Sequence, residues 1–135
     1  MRAVFVDTSA LVALKNKSNT NHLEASRCFQ ELLATGTRLI TTNFVFDETY
    51  TLLQRRMNHE VAVEFGKTLR ASEIIRYLRI TKELEDKAWE IAVKYKDKSF
   101  SFTDCTSFAV MESLGIREAF AFDECFGQFG LQVVP

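Results

Sequence analysis

Three features of the chain predict an α/β fold built on a parallel sheet. Short apolar runs rich in β-branched and aromatic residues alternate with longer segments of helical periodicity. The first run, Ala3-Val-Phe-Val6, is continuously apolar rather than alternating, which is the pattern of a strand covered on both faces. It ends abruptly in Asp7, and a later run ends the same way at Phe122-Asp123. In open α/β sheets, ligands bind in the crevice at the carboxyl ends of the strands, so acids at those points matter.

The elements follow in order. Arg2–Val6 is strand 1, and helix 1 runs on from Ser9 through Ala10-Leu-Val-Ala-Leu14. Ser18-Asn-Thr-Asn21 reads as a turn and N-cap cluster before helix 2, about His22 to Ala34, which Gly36 closes. Arg38–Thr42 is strand 2, and Thr42 or Asn43 caps helix 3, which carries Val45, Leu52, Leu53 and Met57. Asn58-His59 interrupts the pattern before helix 4, about Glu60 to Ala71. Ile74–Ile80 is strand 3, and Thr81 caps helix 5, where Leu84, Ala88, Ile91, Ala92 and Tyr95 recur at helical spacing. Helix 6 runs from Thr103 to about Leu114 and ends at Gly115. Ala119–Phe122 and Leu131–Val134 are strands 4 and 5.

A length of 135 residues bounds one domain, 1–135, with room for a real core. Hydrophobic residues at 47% and charged residues at 26% indicate a folded globular chain rather than a disordered one. A net charge of −1 gives no global basic field, and it leaves room for local patches that could meet nucleic acid. No run is long enough to span a membrane and no secretory signal is visible, so a cytoplasmic location is expected. Cys28, Cys105 and Cys125 form no C-x-x-C pair and read as reduced, buried thiols. His22 and His59 read as surface histidines, giving little support for histidine chemistry.

Four acids carry the chemistry. Asp7 alone reads best as a turn or capping residue. Glu48 stands beside Val45 and Leu52 at the edge of an apolar arc, whereas Asp47 falls with Asn43, Thr51 and Gln54 on the polar side. A carboxylate at the margin of a buried face is costly without donors or a cation, so Glu48 is the informative one; a salt bridge to Arg55 is its bland explanation. Asp104 opens helix 6 between Phe108 and Met111, on an inward stripe, where dipole complementarity explains the charge but not the facing. Asp123 repeats the logic of Asp7. If strands 1, 2 and 4 are neighbours, all four acids share one edge of the sheet. Like charges that close need a cation. All-oxygen ligands point to Mg²⁺ or Mn²⁺, and such a cluster suits metal-assisted phosphodiester hydrolysis.

Val6-Asp-Thr-Ser9, an acid at Glu48, Ser101-Phe-Thr-Asp104 and Phe122-Asp-Glu-Cys-Phe126, followed by Gly130-Leu-x-Val, together resemble the PIN domain, with the size and spacing of the VapC-type toxins of toxin–antitoxin pairs. The resemblance covers essentially the whole chain. It implies a three-layer α/β/α sandwich with a parallel sheet of about five strands. It also implies an endoribonuclease dependent on Mg²⁺ or Mn²⁺, an RNA substrate, a homodimer and a cognate antitoxin. Asp7, Glu48, Asp104 and Asp123 match the family's metal-binding acids, and Thr8, Ser9 and Ser101 match its hydroxyl positions. Ala121 departs from the Thr or Ser common in the family before Phe-Asp, removing one hydroxyl and no ligand. For RNA contact the chain offers Lys15, Lys17, Arg55 and Arg56, and also Lys94, Lys96 and Lys98 before helix 6; solubilising surface charge explains each equally well.

Two other enzyme classes fit poorly. A haloacid dehalogenase-type phosphatase wants a second Asp where Ser9 stands, and a receiver domain wants an acid pair at the end of strand 1. A PIN ribonuclease of RNA maturation without an antitoxin, and a non-catalytic RNA- or protein-binding module of the same fold, are the remaining alternatives.

Overall fold

A computed structural model describes residues 1–135. Five strands form one parallel sheet in the order β3-β2-β1-β4-β5. They are β1 (Ala3–Val6), β2 (Arg38–Thr42), β3 (Ile75–Leu78), β4 (Glu118–Phe120) and β5 (Gln132–Val134). The helices are α1 (Thr8–Lys15), α2 (His22–Ala34), α3 (Asn43–Arg56), α4 (His59–Ala71), α5 (Lys82–Lys94), α6 (Phe102–Leu114) and α7 (Cys125–Gln128). Val4, Phe5 and Val6 are all fully buried although successive strand residues point to opposite faces, so helices cover both sides of the central strand. The α/β/α expectation holds.

The caps explain where the helices start. Thr42, Asn58, Thr81 and Ser101 each accept a hydrogen bond from a first-turn backbone N–H of α3, α4, α5 and α6. Gly115 takes φ of +69° to close α6, a conformation other residues adopt only with strain. Several boundaries differ from the sequence reading. β1 starts at Ala3 rather than Arg2, α1 at Thr8 rather than Ser9, and α4 at His59 rather than Glu60. β3 and β5 are shorter than their apolar runs. β4 starts earlier and ends sooner than expected, at Glu118–Phe120 rather than Ala119–Phe122. Ala121 N–H still donates to the Val134 carbonyl of β5 at 3.1 Å, but Phe122 leaves the ladder, its N–H taken by the Ser9 hydroxyl at 2.9 Å. A short helix, α7, follows where no helix was expected. Four residues give too little periodicity to be read from sequence.

The order reverses at β1: β2 and β3 lie on one side, β4 and β5 on the other. In doubly wound sheets this switch point opens a crevice at the carboxyl ends of the two central strands. Val6 pairs with Phe120, and the Asp7 N–H donates to the Phe120 carbonyl at 3.1 Å. The neighbour relation on which the four-acid reading depended is therefore met for β1, β2 and β4.

Candidate active site

Asp7 leaves β1 at that crevice and is only 4% exposed. It is the N-cap of α1. Its Oδ2 accepts from Ser9 N–H at 3.2 Å and from the Ser9 hydroxyl at 2.7 Å. Capping and site were set against each other in the sequence, yet one carboxylate serves both. Ser9 also ties the two strand ends together, because its hydroxyl accepts from Phe122 N–H.

Glu48 is half-buried in the second turn of α3, on the face that also presents Leu52 and Arg56 to the crevice. Beneath it lies a fully buried hydroxyl chain. Thr49 donates to Thr8 at 3.1 Å, and Thr8 donates to the Val45 carbonyl at 3.4 Å. This chain locks α3 against α1 and so sets Glu48 relative to Asp7. The Glu48–Arg55 ion pair does not form; the ion pairs are Arg2–Glu118, Lys82–Asp86 and Lys98–Asp97. None involves the four acids.

Asp104 is the N3 residue of a capping box: Ser101 accepts from its N–H at 3.0 Å, and its Oδ2 accepts from Ser101 N–H at 3.0 Å. Dipole complementarity and inward facing are again compatible. Asp123 follows β4, is exposed, and accepts from Cys125 N–H at 3.0 Å and from the Cys125 thiol at 2.9 Å.

All four carboxylates line one open cleft of about 680 Å³ together with Thr8, Ser9 and Ser101. The electrostatics record how close they are. Burial pushes the Asp7 carboxyl up from 3.8 to about 7; the Ser9 hydrogen bonds oppose the shift, and the charges of Asp104 and Glu48 add to it. Burial also raises Glu48, with the Thr8 hydroxyl opposing and Asp104, Asp123 and Asp47 adding. Burial, then the bond to Asp123, pushes the Cys125 thiol up, so the protonated form donates.

The donor set fits a hard cation: carboxylate and hydroxyl oxygens, a nearly buried carboxylate, and no ion pair to any of the acids. The carboxylates do not converge as a closed ligand shell. Asp104 and Asp123 each accept from a protein donor, the Ser101 N–H and the Cys125 thiol.

Several residues were placed otherwise or missed. Of the basic candidates, Arg56 lines the cleft; Lys15 lines an apolar groove elsewhere, and Lys17, Arg55, Lys94, Lys96 and Lys98 line neither. Asn19 and Asn21, read as turn and cap residues, reach the cleft. Asn21 makes no side-chain cap bond. Ser99, Phe122 and Glu124 line it as well. Their only sequence signal was proximity to the acids. His22 is half-buried, with Nδ1 2.8 Å from the Ala13 carbonyl, so the surface reading holds for His59 only.

The PIN domain family model matches residues 4–130. The chain belongs to the PIN domain family. It is 40% identical over 127 residues, 94% of each chain, to the 23S rRNA-specific endonuclease VapC20 of Mycobacterium tuberculosis. The crystal structure of that sarcin–ricin loop cleaving toxin superposes with a TM-score of 0.89, covering 98% of this chain and 99% of the other. VapBC2 of Rickettsia felis, solved bound to promoter DNA, shares the fold at a TM-score of 0.71 and 12% identity, covering 97% and 96%. The chain is thus a PIN-domain homologue of a VapC-type endonuclease toxin, and the fold and family expected from the sequence are both correct.

Proposed function

We propose that residues 1–135 form a single PIN domain that acts as the endoribonuclease toxin of a toxin–antitoxin pair, with 23S ribosomal RNA as substrate. Four unpaired carboxylates on one cleft at the switch point carry this reading. The 40% identity to a 23S rRNA-specific relative supports the substrate. Asp7, Glu48 and Asp104 hold Mg²⁺ or Mn²⁺, and Asp123 completes the site. When bound, the cation supplies an activated water and neutralises charge on the scissile phosphate. Ser9 orients Asp7 and pins the Phe122 backbone; Thr8 and Thr49 set the height of Glu48; Ser101 holds Asp104 at the helix N-terminus. Arg56 meets a neighbouring phosphate from the rim. The antitoxin partner follows from the kinship to VapC toxins, and a homodimer from the same family resemblance.

The test is cleavage of purified ribosomes by the purified protein, with primer extension along 23S rRNA. Cleavage at one site with Mn²⁺ or Mg²⁺, abolished by EDTA and by Asp7→Asn or Asp104→Asn in folded protein, supports the proposal. Unchanged cleavage by both variants overturns the site. Intact 23S rRNA alongside cleaved transfer RNA overturns the substrate.

A further inference from the structure

Cys125 touches two of the four acids. Its Sγ lies 2.9 Å from Asp123 Oδ1 and 3.4 Å from Asp104 Oδ2. The residue is buried at the start of α7, and its N–H donates to the same Asp123 Oδ1 at 3.0 Å. Asp123 and Asp104 come from different elements, the β4–α7 connection and the first turn of α6. Facing carboxylates repel, and no Lys or Arg pairs with either one.

We propose that Cys125 is a positioning residue for the carboxylate site: its thiol holds Asp123 turned toward Asp104, so that the pair is oriented before a divalent cation arrives. The inference rests on the reading of these acids as metal ligands. One S–H proton serves one oxygen at a time; the shorter contact assigns it to Asp123, with Asp104 the neighbouring acceptor. A thiol is a weak, uncharged donor. It can orient a carboxylate and release it when a cation binds, whereas a Lys or Arg there would occupy the site with its own charge.

The test is calorimetric titration of Mn²⁺ into the purified full chain, with thermal unfolding in EDTA to report packing separately. Removing an outer partner of a ligating carboxylate lowers metal affinity by roughly 10- to 100-fold. Cys125→Ala and the bulkier Cys125→Val are expected to lose about tenfold in Mn²⁺ affinity, and Cys125→Ser to stay within about threefold of wild type. In an Asp123→Asn background, Cys125→Ala is expected to cost nothing further, since the carboxylate it positions is gone. Wild-type affinity in both Cys125→Ala and Cys125→Val, with Asp7→Asn still weakened, overturns the role of Cys125 and leaves the carboxylate site standing. An equal loss with and without the Asp123 carboxylate assigns the effect to packing and also overturns it, as does a serine variant as weak as the alanine one. Equal Mn²⁺ affinity in wild type and Asp7→Asn removes the metal site itself.

Discussion

Replacing Asp7 with Asn is expected to stabilise the cation-free protein while destroying its activity. Asp7 is 4% exposed and its carboxyl is pushed from 3.8 up to about 7, chiefly by burial. A raised folded-state pKa means the native state holds the proton more tightly than the unfolded chain does. The stabilisation from that proton is fully present below about pH 4 and is lost as pH rises toward 7. A shift of roughly three units at about 1.36 kcal/mol each gives about 4 kcal/mol lost above pH 7, about half of it by pH 5.5. Asparagine has no charge to desolvate, and its Oδ1 can accept both Ser9 hydrogen bonds that Asp7 Oδ2 now accepts. Urea denaturation in EDTA from pH 4 to pH 8 is the assay. The variant should match wild type near pH 4 and exceed it by about 2–4 kcal/mol at pH 8. Saturating Mn²⁺ should shrink that gap by selectively stabilising the wild type, by about 2.7 kcal/mol at a hundredfold excess over Kd. Parallel stability curves for the two proteins across this pH range would refute the argument that Asp7 is a strained, cation-demanding carboxylate.

Further outcomes follow from the same geometry. Arg56→Ala should weaken RNA binding severalfold and reduce the salt slope by about one, because Arg56 lines the cleft, whereas Arg55→Ala should leave both unchanged; filter binding at several salt concentrations separates them. Thr49→Val removes the buried donor to Thr8 and should cost about 1 kcal/mol, read as a fall of several degrees in Tm, with a lowered kcat as Glu48 loses its fixed height over Asp7. Glu48→Gln should abolish cation-dependent cleavage while leaving the fold intact by circular dichroism, since the half-buried site accepts a neutral isostere.

Much of this site was legible from local pattern. A continuous apolar run ending in an acid marks Asp7, which follows β1 directly, and Asp123, which lies three residues beyond the end of β4. The helical phase of α3 separates Glu48 from Asp47, and the structure agrees, with Glu48 half-buried and Asp47 exposed. The caps at Thr42 and Thr81 were readable because a cap is a contact between residues only three apart, whereas the capping box at Ser101 was not read and α6 was started one residue late. The short α7 was not readable, and neither were the cleft positions of Asn19 and Asn21, whose polar cluster looks like any turn. Nor did sequence distinguish Arg56 from Arg55, since adjacent helix residues differ by about a quarter turn and both carry the same charge.

The amino-acid sequence by itself determined the class of fold, the order of the five strands and six longer helices, and four candidate acids whose oxygen donors suit a hard cation. These depend on periodicity, capping and residue type, which act over a few neighbouring residues. Only the tertiary structure decided that β1 lies between β2 and β4, which turns four scattered acids into one cleft. It also decided that Asp7 both caps α1 and lines the site, and that the Cys125 thiol lies against Asp123 and Asp104. Those facts depend on strand order and long-range packing, which bring together residues a hundred positions apart and leave no local trace in the chain.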